Sequence, residues 1–235
     1  MISANRAGAA AGLVGAVLYI VGAFVAGSPP APDASTVSIV TYMQEHREAL
    51  LWGMVLTYTG LALFLWFAGY LHARLAAAEA ALADSGAPLA TVTLLAFVVL
   101  FGLAGAGGIA FNLMVWRGAG SIDPNLVRLA FDAQNLSLYA ITSTVALLSV
   151  LAPIIVIART GILPKWLVVL GALEIAVNIV EIAGFFSRSG WNAGGYAAGI
   201  GPLVWVVWLG AVSITMLIRT PAPVARTIAV SPGSA

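Results

Sequence analysis

Long runs of apolar residues, separated by short polar or glycine- and proline-containing stretches, dominate the pattern of this chain. A helix of roughly 20 apolar residues is long enough to cross a bilayer, because each residue adds about 1.5 Å of length. Six runs reach this length. They predict an all-α polytopic transmembrane bundle with spans at approximately residues 8–27, 49–71, 89–115, 136–158, 163–186 and 197–218. Residues 221–235 contain three prolines and few large apolar residues, so we expect a disordered tail.

Two shorter segments that precede spans predict helices lying in the outer membrane interface. Asp33 follows a proline and is an N-cap candidate for a helix that leads into the second span. Asp123 and Pro124 have the residue types of an N-cap and a first helical position, and they predict a helix that leads into the fourth span.

The distribution of basic residues predicts the orientation of the bundle. If the amino terminus is cytoplasmic, six basic residues lie inside and four lie outside. The inside set is Arg6, Arg74, Arg159, Lys165, Arg219 and Arg226, and the outside set is Arg47, Arg117, Arg128 and Arg188. The positive-inside rule therefore predicts that both termini are cytoplasmic.

Composition supports a membrane protein and excludes several functional classes. Hydrophobic residues make up 61% of the chain and charged residues 8%, against about 25% charged in soluble domains. The net charge of +1 comes from scattered groups and predicts no nucleic-acid partner. The absence of cysteine excludes disulfides and thiolate chemistry, and His46 and His72 fall on opposite predicted sides. We therefore expect neither a cofactor nor a metal site.

The strongest candidate site lies in the fifth predicted span, which carries Glu174, Asn178 and Glu181. An ionised side chain inside a bilayer costs about 3 kcal/mol or more, so such groups need protein or water around them. Their spacing of four and then three residues places all three side chains on one stripe of a helix. We therefore expect this stripe to face the interior of the bundle.

Two roles for this stripe follow from its chemistry. A buried carboxyl group that accepts and releases a proton can act as a proton or cation relay, and the same groups can line a polar ligand pocket. Alternatively, each group is neutral or hydrogen-bonded and holds neighbouring helices together, at about 1 kcal/mol per hydrogen bond. The sequence leaves both open.

A second cluster is predicted at the outer ends of the spans. Asn112, Asp132, Asn135 and Glu181 would converge there in a polar vestibule, and His46 and Arg47 would form its cap. Such oxygen-rich sites suit a hard cation or a small polar ligand. The simpler alternative is that Asp132 pairs with Arg128 four residues earlier on one helix face.

No motif in the sequence indicates a known catalytic site. Nucleotide-binding loops, zinc-protease motifs and nucleophile elbows are missing from the sequence, and Asp132 with Glu181 is the only acid–base pair to nominate. The favoured hypothesis is binding or transport of a small polar or cationic ligand, or a proton, through a pocket in the outer half. The alternatives are a structural or regulatory membrane subunit and an intramembrane lipid-modifying enzyme.

Glycines recur on two spans and predict close helix packing. Gly8, Gly12, Gly15 and Gly22 form a stripe on the first span, and further glycines crowd the third. Small residues let helix backbones approach each other closely in membranes. The stripe suits packing within one bundle or a homo-oligomer.

Several sequence segments resemble an uncharacterised family of bacterial six-span integral membrane proteins. The similar segments are the Pro29-Pro30 pair, residues 34–47, residues 63–67 with the following Leu71 and Arg74, and residues 159–167. The resemblance implies a compact helical bundle in the bacterial cytoplasmic membrane. It implies no particular activity and no catalytic residues.

Overall fold

The computed structural model of the chain describes residues 4–82, 89–137, 142–186 and 200–219. Within these ranges the protein is all-α, as the sequence predicts. The helices are α1 Ala4–Ala26, α2 Thr36–Glu45, α3 Arg47–Ala80, α4 Leu89–Arg117, α5 Pro124–Leu136, α6 Thr142–Thr160, α7 Trp166–Phe185 and α8 Ile200–Arg219, with a 3-10 turn at Ala119–Ser121. The predicted tail at 221–235 lies outside the described residues.

Six helices are long and apolar enough to cross a membrane: α1, α3, α4, α6, α7 and α8. This confirms the six predicted spans and makes the chain a multi-pass membrane protein. Residues 138–141, in the predicted fourth span, lie outside the described ranges. Beyond the predicted second span, α3 continues through an alanine-rich stretch to Ala80. With 34 residues, α3 is about 51 Å long and exceeds the hydrocarbon thickness of about 30 Å.

The six long helices pack as a closed ring in the order α1, α3, α4, α6, α7, α8, with α8 returning to α1. Large aromatic side chains fill its interior, among them Phe64, Phe97 and Trp208, which are fully buried. Apolar side chains such as Val17 and Val169 are exposed on its outside. An apolar exterior around a packed interior suits lipid on every side of the ring.

The two short helices lie together at one end of the ring, which we call the capped side. There α2 packs on α5, and residues of both helices form a second hydrophobic core with the ends of α3 and α4. This core contains Ile39, Met43, Phe111, Val127 and Phe131. The opposite end, which we call the hairpin side, carries the turn between α6 and α7.

Local capping explains where the short helices begin. The N-cap of α2 is Ser35, whose hydroxyl accepts a hydrogen bond from the Ser38 amide at 3.2 Å, so the prediction of Asp33 is wrong. The prediction for α5 is confirmed, because the Asp123 carboxylate accepts from the Asn125 amide at 2.8 Å and Pro124 opens the helix.

On the hairpin side, local hydrogen bonds cap the end of α6 and the start of α4. Gly161 follows α6 with φ of 65°, and its amide donates to the Ile157 carbonyl at 2.9 Å, which ends the helix. Glu79, near the end of α3, accepts hydrogen bonds from the backbone amides of Leu89 and Ala90 at 3.0 and 2.8 Å. This carboxylate therefore caps the first turn of α4, a role that the sequence pattern did not predict.

The glycine stripe of the first span packs against α3 of the same chain. A Cβ atom added to Gly60 would lie 2.7 Å from the carbonyl oxygen of Gly15, and one added to Gly53 would lie 2.8 Å from that of Gly22. The two backbones are therefore in direct contact, which only glycine permits. The stripe serves packing within the bundle.

Candidate functional site

The three polar residues of α7 face the interior of the ring, as their spacing predicts. Glu174 is 0% exposed, Asn178 2% and Glu181 5%, although they belong to a helix with an apolar, exposed opposite face. Each is held by an identifiable neighbour, and the two carboxyl groups differ in how completely their oxygens are satisfied.

Glu181 connects three helices through its two carboxyl oxygens. Its Oε1 accepts from the backbone amide of Gly201, in the first turn of α8, at 2.8 Å. Its Oε2 accepts from the hydroxyl of Ser143, in the first turn of α6, at 3.1 Å. Both oxygens therefore have donors, and the side chain ties α7 to its two neighbours in the ring.

Glu174 is satisfied at only one of its two carboxyl oxygens. The amide nitrogen of Asn178 donates to Oε1 of Glu174 and also to its backbone carbonyl, the latter at 3.0 Å. The second oxygen, Oε2, is buried and has no hydrogen-bond partner within the part of the chain that the structure describes. A buried acceptor without a donor costs about 1–3 kcal/mol, so this oxygen is suited to carry a proton.

A cavity of about 310 Å³ lies inside the ring in its capped half. Residues from α1, α3, α4, α5, α6, α7 and α8 line it, and most of them are apolar or small. Its aromatic wall residues are Tyr19, Tyr58, Phe101, Phe111 and Trp205. A concave, mostly apolar site with a few polar groups is the usual form of a small-molecule pocket.

A cluster of polar side chains beside this cavity contains residues from three helices. The amide nitrogen of Asn112 donates to the Tyr58 hydroxyl at 2.7 Å, which joins α4 to α3. Gln134 of α5 lines the same cavity, and its Oε1 is buried without a hydrogen-bond partner among the described residues. This cluster therefore contains a buried acceptor that has no partner among the described residues beside the cavity.

A second polar wall connects the cavity to the two glutamates. Asn178, Ser143 and Gly201 all line the cavity. Asn178 is hydrogen-bonded to Glu174, whereas Ser143 and Gly201 are hydrogen-bonded to Glu181. Each carboxyl group thus lies one hydrogen bond behind the cavity wall.

The predicted vestibule at Glu181 differs from what the structure shows. Asn112 lines the cavity, but Asp132 is bound to Arg128 at 2.8 Å and its side chain is 46% exposed. The amide of Asn135 donates to the Phe131 carbonyl of its own helix at 3.0 Å. Asp132 and Asn135 are therefore satisfied on α5 itself, because residues four apart on a helix are neighbours. Asp132 and Glu181 therefore do not form the acid–base pair considered in the sequence analysis.

His46 and Arg47, the predicted cap, are exposed and have structural contacts. The His46 ring stacks on Tyr42 with the ring centroids 4.7 Å apart. Arg47 donates to the carbonyl oxygens of Val115 and Trp116, at 3.2 and 2.7 Å, and so caps the last turn of α4. Both residues belong to the capped side, but neither lines the cavity.

The cavity residues that sequence reasoning missed include Tyr58, Gln134, Ser143 and Trp205. A hydroxyl or amide inside an otherwise apolar run was the available signal, since such groups need partners in a membrane. Which partners they have depends on the order of helices in the ring, and that order cannot be read from one span at a time.

No family model matches this chain, and no curated protein or solved structure matches it either. The resemblance to an uncharacterised six-span family therefore stays a prediction. What the chain can bind has to be argued from the geometry of its own residues.

Proposed function

We propose that this multi-pass membrane protein binds a small polar or cationic ligand in the cavity of its capped half. The cavity itself carries the proposal, because it lies among the helices of the ring and combines apolar walls with polar groups. Its volume of about 310 Å³ falls at the lower end of the range for ligand pockets, about 300–1,000 Å³. The ligand is accordingly small.

The unsatisfied acceptors support a ligand that donates hydrogen bonds. Oε1 of Gln134 is buried beside the cavity without a partner among the described residues, and Tyr58 and Asn112 lie in the same wall. Since an unpaired buried acceptor is destabilising, a donor on the ligand regains free energy that the empty cavity lacks. Amines and alcohols carry such donors.

The proposed location is the bacterial cytoplasmic membrane, with both termini in the cytoplasm. Arg159 and Lys165 flank the turn on the hairpin side, and α8 ends at Arg219. The positive-inside rule supports placing this side in the cytoplasm. The capped side and its cavity then lie in the outer half of the membrane.

Transport is an extension of the binding proposal, in which Glu174 is the proton relay. Its support is the position of Glu174, fully buried and linked to the cavity wall through Asn178, with one carboxyl oxygen unpaired. A carboxyl group in this position can couple ligand movement to a proton. None of the described residues that line the cavity has a carboxyl group.

Ligand binding is tested by filling the cavity. Ala104 lines it, whereas Ala106 of the same helix is exposed on the outside of the ring. We expect the purified protein and Ala106→Leu to bind short-chain amines or alcohols, measured by calorimetric titration in maltoside detergent. Ala104→Leu should bind them at least about tenfold more weakly, because its added atoms occupy the space of the ligand. Equal binding by both variants would overturn the proposal.

The second candidate is a structural or regulatory subunit, and Glu181 favours it. Both of its oxygens are used in hydrogen bonds to neighbouring helices, which is how polar residues hold membrane bundles together. This candidate predicts that no small molecule binds in the cavity and that Ala104→Leu leaves function unchanged while stability stays the same or rises.

A further inference from the structure

Five aromatic side chains among the described residues line the cavity. Tyr19 of α1, Tyr58 of α3, Phe101 and Phe111 of α4 and Trp205 of α8 all contribute to its wall. Aromatic rings carry negative charge density on their faces and attract cations placed within about 6 Å. The five rings come from four helices of the ring, so they surround the cavity from several directions.

Packing and hydrogen bonding hold two of these rings in place. Trp205 packs edge-on against Phe101, with centroids 6.3 Å apart, and against buried Phe64 at 5.4 Å. The indole nitrogen of Trp205 donates to the Ser149 hydroxyl at 3.0 Å. These rings therefore keep their orientation without a ligand, which lowers the entropic cost of binding one.

The ionisable groups nearest to the cavity are acidic. Among the described residues that line it there is no lysine, arginine or histidine, and none carries a charge. Glu174 and Glu181 lie directly behind the wall, hydrogen-bonded to Asn178, Ser143 and Gly201 of the lining. Any negative charge on these carboxyl groups acts on the cavity through a medium that screens poorly. The described lining therefore holds no positive group that would repel a cation, and a carboxyl group that releases its proton would attract one.

We infer that the ligand is a small organic cation, an amine or a quaternary ammonium compound, held among Tyr19, Phe101 and Trp205. This inference rests on the proposed binding function. Inorganic cations fit less well, because a mostly apolar, aromatic wall offers too few oxygen ligands to replace a hydration shell. The alkyl groups of an organic ammonium match that wall, and Gln134, whose Oε1 has no partner among the described residues, lies in the same wall.

The test compares choline with its uncharged isostere, in which carbon replaces the nitrogen. The two molecules have the same shape and hydroxyl group, so a difference in affinity reports the positive charge. We expect choline to bind the full-length protein in maltoside detergent about tenfold or more tightly than the isostere, measured by calorimetry. Ala106→Leu should behave like the unmodified protein, and Ala104→Leu should lose both ligands.

A second variant separates the contribution of an aromatic ring to choline binding from any effect on folding. Phe101→Leu keeps an apolar side chain at this half-buried position but removes the ring. We expect it to weaken choline binding several-fold while binding of the isostere changes little. Isostere binding equal to or tighter than choline binding, with both abolished in Ala104→Leu, would overturn the cation inference and leave the proposed function standing. If neither choline nor the short-chain amines bind while the alcohols do, the cation inference fails and the proposed function stands.

Discussion

Oε1 of Glu181 accepts a hydrogen bond from the backbone amide of Gly201 at 2.8 Å, so a carboxyl group of α7 satisfies an amide in the first turn of α8. Backbone amides at a helix start have no partner within the helix, and inside a membrane no water replaces one. The hydroxyl of Ser143 binds the other oxygen. Glu181 is therefore placed to stabilise the junction of α6, α7 and α8.

Replacing Glu181 should separate its structural role from its charge. Glu181→Gln keeps a carbonyl oxygen for the Gly201 amide, whereas Glu181→Leu leaves that amide and the Ser143 hydroxyl unpaired. We expect Glu181→Leu to lower the free energy of unfolding by about 1–3 kcal/mol, and Glu181→Gln to lower it less. Unfolding by SDS in mixed micelles measures both, with Ser143→Ala as the control that removes one hydrogen bond. Equal stability of the Gln and Leu variants would contradict this role.

Replacing Glu174 tests the relay directly. Glu174→Gln retains an oxygen that accepts from Asn178, so the fold should persist, but an amide cannot exchange a proton. We therefore expect flux of choline driven by a pH gradient in proteoliposomes to be abolished. Glu45→Gln, on the exposed face of α2, is the matched control and should transport like the unmodified protein. Unchanged flux in Glu174→Gln would reject the relay role.

A methyl group between α1 and α3 should destabilise the bundle. In Gly60→Ala the new Cβ would lie 2.7 Å from the Gly15 carbonyl oxygen, so the two helices have to move apart. We expect a loss of about 1–3 kcal/mol in unfolding free energy. Gly102→Ala is the control, because an added Cβ there meets no atom within 4 Å, and it should be neutral or slightly stabilising. If both variants were equally stable, the predicted backbone contact would be wrong.

The stability contributed by Tyr42 should depend on alkaline pH. Burial raises the pKa of Tyr42 above its ordinary value of 10.0, and its hydroxyl donates to the Ala26 carbonyl at 3.0 Å, joining α2 to the end of α1. The folded protein therefore keeps this proton at pH values where the unfolded chain loses it. The contribution is complete below about pH 10 and is lost as the pH rises above that value.

Tyr42→Phe isolates this effect. Loss of the hydrogen bond should cost about 1 kcal/mol at neutral pH. The unmodified protein should melt at a higher temperature than the variant. This difference should shrink as the pH rises above the ordinary pKa of tyrosine. A difference that is constant through this range would show that Tyr42 does not titrate with unfolding.

Much of the candidate site could be predicted from local spacing. Glu174, Asn178 and Glu181 are four and three residues apart, and helix geometry alone places them on one buried stripe. The same rule indicated the pairing of Arg128 with Asp132. By contrast, the hydrogen bond between Asn112 and Tyr58 joins residues 54 positions apart, and no local pattern predicts it.

Run length and hydropathy were sufficient for the all-α class, the six spans and the inward stripe of α7, because bilayer thickness and helix periodicity constrain each span separately. The closed order of helices, the cavity and the partners of each polar group required the tertiary structure. Those features depend on which helices become neighbours, and packing between distant segments selects the neighbours. Asp132 illustrates the difference: hydropathy placed it on the same side as Glu181, but its contact with Arg128 keeps it on the surface of α5.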